Sequence, residues 1–175
     1  MDALAFLVDT VLGLCSFAFL LRLLLQWVRA DFRNPLARGV LQLTNPVIVP
    51  LRRFIPAAGR IDSASVLTLI ALSALKLLAL AALARLSLPG GLPLLRLVAV
   101  DLLRLLLQSY LYLILLYALL SFVAQGSYSP GRSMLASLCE PLLRPVRQRL
   151  PALGGLDLSP LVVLLAIQAL LLLVR

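Results

Sequence analysis

The chain has 175 residues with a formal net charge of +9, and 62% of its residues are hydrophobic while 13% are charged. A water-soluble domain of this size cannot bury so much apolar side chain, so the composition excludes that class and predicts a protein of the lipid bilayer. Histidine is absent and only two cysteines occur, Cys15 and Cys139, so we expect no disulfide framework, no zinc or haem site and no cofactor.

Four apolar segments are long enough to be membrane spans, since a helix needs about 20 residues to cross a hydrocarbon core of ~30 Å. They cover residues 4–28, 65–86, 94–123 and 158–174. The first segment follows an acidic Asp2 and no small-residue cleavage site follows it, so we expect a retained helix and not a signal peptide. The third segment is longer than a span requires and should tilt or project past the membrane.

The arginines predict the orientation of these spans. Connector 29–62 holds six arginines and two aspartates, and connector 124–157 holds four arginines and two carboxylates, whereas the link 87–93 has no charge. By the positive-inside rule, both connectors lie in the cytoplasm, and both termini and the link lie outside.

The two connectors repeat each other at an offset of 95 residues. Segment 45–62, NPVIVPLRRFIPAAGRID, aligns without a gap with segment 140–157, EPLLRPVRQRLPALGGLD. The repeat signature consists of Pro46, Pro50, Pro56 and Asp62 in the first copy and Pro141, Pro145, Pro151 and Asp157 in the second. The pattern indicates a tandem duplication with repeats 1–92 and 93–175, each with two spans and both with the same topology.

Each connector begins with an N-cap residue followed by a proline suited to the first helical position, Asn34-Pro35 and Ser129-Pro130. This predicts short helices at about 35–43 and 130–138. Further along, apolar residues fall on one helical face beside arginines, which is typical of an amphipathic element in the headgroup plane. Because the signature prolines forbid one long regular helix, we expect this element to be broken.

The connector arginines are the candidate binding residues. They would bind lipid headgroups or an acidic partner, the alternative being that they only fix topology. This set comprises Arg52, Arg53, Arg144, Arg147 and Arg149. Asp62 and Asp157 would either pair with these arginines or cap the helix that follows.

These motifs resemble those of the YggT family of small integral membrane proteins: NP near a first helix, then xxPxxxPxRRxxP, then GxxD before a second helix. The second copy, PLLRPVRQRLPALGGLDLSP, is the closer match, although Gln148 stands where the first copy has Arg53. The resemblance covers nearly the whole chain as two family units. It implies a bacterial cytoplasmic membrane protein associated with envelope organisation, cell division, osmotic tolerance or, in plastids, maturation of a cytochrome complex, and it brings no agreed biochemical activity.

Four ionisable residues lie well within the apolar segments, where a lone charge costs about 2.5–3.5 kcal/mol. They are Asp9, Lys76, Asp101 and Arg104. Two charges of each sign predict an interior network, which would act either as a paired lock that sets helix register or as the lining of an ion or proton path. Arg22 is close enough to the inner surface for its guanidinium group to snorkel there.

No HExxH motif, Walker loop or nucleophile–base pair is present, so we expect no catalytic residues and no enzyme. The predicted fold is an all-α membrane protein with four transmembrane helices in two parallel repeats, each with a cytoplasmic, Pro-broken amphipathic interfacial connector. The predicted function is a non-enzymatic scaffold or assembly factor, and the alternative is a small oligomeric ion channel or osmotic-response transporter. We expect anionic membrane lipids as partners. A membrane-protein partner and a homo-oligomer are both possible, and we expect no direct binding of nucleic acid.

Overall fold

The computed structural model describes residues 3–55, 62–87, 89–123, 129–149 and 157–174, and these residues form six α-helices and no strand. The helices are α1 (Ala3–Trp27), α2 (Pro35–Leu51), α3 (Ser63–Leu83), α4 (Leu92–Val123), α5 (Pro130–Arg147) and α6 (Ser159–Leu173).

Three helices, α1, α3 and α4, are long and apolar enough to cross a membrane. α6 is also apolar but has 15 residues, which corresponds to a length of roughly 22 Å. Large apolar side chains such as Phe6, Leu14 and Leu165 lie exposed on the outside of these helices. Exposed apolar surface on long apolar helices indicates a membrane protein.

α1 and α3 end in the same way. In each case the residue that follows the C-cap is an arginine with a positive φ, which is 52° at Arg29 and 53° at Arg85. The next residue then donates its N–H back into the last turn, from Ala30 to Leu25 and from Leu86 to Ala81, both at 2.9 Å. This is the Schellman arrangement, which satisfies carbonyl groups that would otherwise be orphaned at a helix end.

The core forms where the long helices meet the connector helices. α1 packs against α2 and α3, and α4 packs in the same way against α5 and α6. Leu25, Ile48, Ile114, Leu138 and Leu143 are fully or almost fully buried in this core. Each connector helix therefore lies against the two apolar helices that it joins, and α2 also contacts α5.

The connector helices are longer than the prolines predicted. α2 continues through Pro46 and Pro50 to Leu51, and α5 continues through Pro141 and Pro145. The two interior prolines of each helix are four residues apart and exposed, so the carbonyl groups that lose their donors lie on the outer face. An unpaired carbonyl costs most when it is buried, and here it faces away from the core. The third signature proline of each copy, Pro56 or Pro151, lies outside the described residues.

Both connector helices begin at the proline of the predicted pair. Asn34 is the N-cap of α2 and its Oδ1 accepts a hydrogen bond from the N–H of Leu36 at 2.9 Å. Its Nδ2 donates to the carbonyl of Pro130 at 2.6 Å, which ties the start of α2 to the start of α5. Ser129 occupies the N-cap position of α5 without a side-chain cap bond.

Candidate functional site

The end of α2 is bound to the start of α3 by an ion pair between Arg52 and Asp62. Arg52 donates from Nε and Nη2 to the two carboxylate oxygens of Asp62, at 3.2 and 2.8 Å. Ser65, in the first turn of α3, donates from Oγ to Oδ2 of Asp62 at 2.7 Å. A two-pronged guanidinium–carboxylate pair fixes direction as well as distance, so it restrains the angle between α2 and α3.

Arg22 of α1 completes this cluster from the other side. Its Nη1 donates to Thr44 Oγ1 at 2.7 Å and to Asn45 Oδ1 at 2.8 Å, both on α2. Its Nε lies 3.6 Å from Asp62 Oδ2 and forms no hydrogen bond with the part of the chain that the structure describes. Arg22 is 2% exposed, so the expectation that it snorkels to the surface is wrong. Sequence reasoning missed it as a member of the site because its partners lie more than 20 residues away.

Asp62 stays ionised in this environment. Burial alone raises the pKa of Asp62, but hydrogen bonds from Arg52 and Ser65, together with the charges of Arg52 and Arg22, outweigh burial. The pKa of Asp62 therefore lies below the usual value for an aspartate. A carboxylate that is 3% exposed is kept charged by two guanidinium groups, and it holds three helices together.

The second copy contains the same ion pair 95 residues later. Arg147 at the end of α5 donates from Nε to Asp157 Oδ2 at 2.9 Å, and its Nη2 lies 2.7 Å from the same oxygen. Its Nη1 also reaches Glu140 Oε2 at 3.4 Å. Asp157 uses its other oxygen to accept the N–H of Ser159 at 2.9 Å. Here Arg147 and Asp157 are each 40% exposed, so water reaches the pair.

The two predictions for Asp62 and Asp157 therefore both describe part of the geometry. Each aspartate pairs with the arginine ten residues before it. Asp157 in addition accepts a backbone N–H at the start of α6, whereas the side chain of Asp62 forms no backbone cap bond. Burial alone raises the pKa of Asp157, but hydrogen bonds from Ser159 and Arg147 lower it overall.

The clusters differ at the positions that surround the shared pair. The repeat offset matches Arg22 with Tyr117, Thr44 with Cys139 and Asn45 with Glu140. Burial alone lowers the pKa of Arg147, but hydrogen bonds with Asp157 and Tyr117 raise it overall. The first cluster thus combines two guanidinium groups with one carboxylate, and the second combines one guanidinium group with two carboxylates.

The charges within the apolar helices are only partly brought together. Lys76 Nζ of α3 lies 2.5 Å from Asp101 Oδ1 of α4, and Ser73 Oγ donates to the other oxygen of Asp101 at 2.6 Å. Arg104 points elsewhere and donates from Nε and Nη2 to the carbonyl of Val174, at 2.9 and 2.6 Å. Asp9 lies on the exposed side of α1 and forms no ion pair with any described residue. The structure therefore shows one interhelical pair and not a network of four charges.

Comparison with known proteins identifies the family. A sequence profile of the CCB3/YggT family matches residues 1–83 and 97–175. The chain belongs to the CCB3/YggT family. It is 39% identical over 169 residues to an uncharacterised YggT protein of Escherichia coli K12, covering 94% of this chain and 85% of the relative. It is 43% identical over 169 residues to an uncharacterised protein of Pseudomonas aeruginosa, covering 95% of this chain and 85% of that relative. No solved structure matches the chain.

The other candidate arginines of this family member lie on the outer faces of the connectors. Arg53, Arg144 and Arg149 are all exposed. The two outer faces are not alike, because α2 exposes Leu43, Val47 and Val49 and is followed by Phe54, which is 83% exposed. At the positions of Val49 and Phe54, the repeat offset places Arg144 and Arg149 in the second copy.

Neither cysteine belongs to a polar cluster. Cys15 is exposed on α1, and Cys139 is buried on the inner face of α5, where burial raises its pKa to about 12. Among the described residues, no three His, Cys, Asp or Glu side chains are close enough to hold a metal ion.

Proposed function

We propose that this family member is a non-enzymatic integral membrane scaffold or assembly factor of the bacterial cytoplasmic membrane. In this proposal, α1, α3, α4 and α6 are four membrane spans in two parallel repeats, 1–92 and 93–175, with both termini outside. The connector helices α2 and α5 lie at the cytoplasmic face, where they bind anionic lipids or a membrane-protein partner. The arginine-rich connectors and the uncharged link support this orientation.

The observation that carries the proposal is the Arg–Asp pair that occurs once in each copy. Arg52–Asp62 and Arg147–Asp157 each fasten the end of a connector helix to the start of the next apolar helix. A connector helix that is fastened to the next apolar helix is not a free loop. Its outer face therefore keeps a fixed orientation to the membrane surface. Basic residues close to an anionic membrane surface each contribute about 1 kcal/mol to binding. Two such faces on one chain suit a protein that organises lipids or partners.

Complementation in bacteria tests this role. The triple variant Arg53→Gln/Arg144→Gln/Arg149→Gln removes the exposed outer-face charges and leaves both ion pairs intact. We expect it to insert normally but to lose its ability to restore the osmotic tolerance or division defect of a strain that lacks its own family member. The variant Arg33→Gln/Arg38→Gln is the control, because it removes two exposed charges from the start of the first connector and keeps every candidate binding residue. Full complementation by the triple variant, at normal membrane levels, would refute the proposal.

A further inference from the structure

The cluster at the end of α2 is short of negative charge. Arg22 and Arg52 share the carboxylate of Asp62, and the start of α3 adds the partial positive charge of a helix N-terminus. Arg22, which is 98% buried, still has an Nε without a hydrogen-bond acceptor among the described residues. Arg52 is 42% exposed, so its guanidinium group faces both the cluster and the surroundings. A cluster with surplus cations and an exposed guanidinium group suits a second anion.

The cluster at the end of α5 has the opposite balance. Glu140 stands where the first copy has Asn45, and it lies 3.4 Å from Arg147 as a second carboxylate. Tyr117 stands where the first copy has the buried Arg22. Glu140 and Asp157 therefore already satisfy Arg147, so its guanidinium group attracts an additional anion less strongly than that of Arg52.

The surroundings of the first cluster suit an amphiphile. Val49 lies one turn before Arg52 and is 52% exposed, and Phe54 follows Arg53 and is 83% exposed. An exposed cation beside exposed apolar side chains matches a molecule with an anionic headgroup and an acyl chain. The matching surface of α5 carries Arg144 and Arg149 in place of these apolar side chains.

We infer that the end of α2 is a binding site for one anionic phospholipid and that the end of α5 is not. The lipid phosphate accepts hydrogen bonds from Arg52 and Arg53, and the upper part of an acyl chain lies along Val49 and Phe54. The inference rests on the proposed function in one respect, that α2 lies at the membrane surface. It deepens that proposal by assigning the lipid to the first copy, which leaves the basic outer face of α5 for a partner.

The matched positions Asn45 and Glu140 provide the test. Binding of phosphatidylglycerol and phosphatidylcholine to the purified full chain is measured by native mass spectrometry. We expect preferential binding of phosphatidylglycerol, with an affinity about fivefold lower for Asn45→Glu than for the equally long but neutral Asn45→Gln, because one charge near the surface changes binding by about that factor. Glu140→Gln removes the extra carboxylate of the second copy but adds no apolar side chain there, so we expect the number of bound phosphatidylglycerol molecules to stay at one.

Three results would overturn the inference. They are equal affinities of the Asn45→Glu and Asn45→Gln variants, equal binding of the two lipids by the unmodified chain, and displacement of the lipid by millimolar inorganic phosphate, which would show a site for a free anion. Loss of complementation without loss of lipid binding would count against neither the site nor its lipid. The binding assay and the cell assay can therefore fail separately.

Discussion

The two Arg–Asp pairs differ in burial, and this difference predicts unequal stability losses for the same substitution. Asp62→Asn removes the charge from a carboxylate that is 3% exposed, and it leaves Arg22, which is 2% exposed, without a counter-ion. Breaking a buried pair in this way costs about 3–5 kcal/mol, mainly because the remaining charge is buried without a partner. Asp157→Asn breaks a pair in which both residues are 40% exposed, and such pairs contribute about 0–1 kcal/mol.

Thermal unfolding of the purified protein in detergent, followed by circular dichroism, measures the difference. We expect Asp62→Asn to lower the apparent Tm by on the order of 10 °C and Asp157→Asn by no more than a few degrees. The double variant Arg22→Gln/Asp62→Asn should recover part of the loss, because it removes the charge that Asp62→Asn leaves unpaired. Similar Tm losses for the two aspartate variants, or no recovery in the double variant, would refute the assignment of Arg22 to the buried cluster.

Three further predictions follow from named contacts. The pKa of Asp62 is lower in the folded chain than in the unfolded chain. The ionised carboxylate therefore contributes its full share of the folding free energy above the pKa of an unfolded aspartate, about 4, and this contribution is lost as the pH falls through the folded pKa. When Tm is measured against pH in acid, the unmodified chain should therefore show a steeper loss than Asp62→Asn. Lys76→Leu and Asp101→Leu should each reduce membrane insertion, because each leaves one charge of the pair without its partner in an apolar segment. The double variant should insert normally and show the same ion flux in liposomes as the unmodified chain. A flux that disappears in the double variant would favour the channel alternative. Asn34→Ala removes both the N-cap bond of α2 and the bond to Pro130, so the free energy of unfolding should fall by about 1–2 kcal/mol. Denaturant titration measures this loss. Ser129→Ala is the control, because the side chain of Ser129 forms no cap bond.

Local signals in the sequence predicted local structure well. Asn34-Pro35 marks the start of α2, because capping depends only on residues within one turn. The ends of α2 and α5 were harder to predict, since the cost of a proline inside a helix depends on whether the freed carbonyl is buried. Pro46 and Pro50 lie on the exposed face, and this is set by packing and not by the local sequence.

Contacts between distant residues limited what could be predicted of the site. The sequence places Arg22 near the C-terminal end of α1, but only the fold brings Asp62 and Thr44 to it. The repeat offset matches Asp9 with Arg104, yet Asp9 faces outward and Arg104 reaches Val174. Depth along a helix can be read from the sequence, whereas the direction in which a side chain points is decided by the neighbours that pack against it.

The two connectors share one Arg–Asp contact, but the residues that surround it differ. The Arg–Asp pair occurs at the end of α2 and again at the end of α5, and in both places it joins a connector helix to the start of the next helix. In the first copy, Arg22 adds a second guanidinium group beside a carboxylate that is 3% exposed, while in the second copy Glu140 adds a second carboxylate beside a pair that is 40% exposed. Breaking the contacts of a buried carboxylate costs more than breaking an exposed pair, so the first connector helix is held more firmly than the second. In the proposed scaffold, the first connector therefore holds the lipid, and the basic face of α5 is left for a partner.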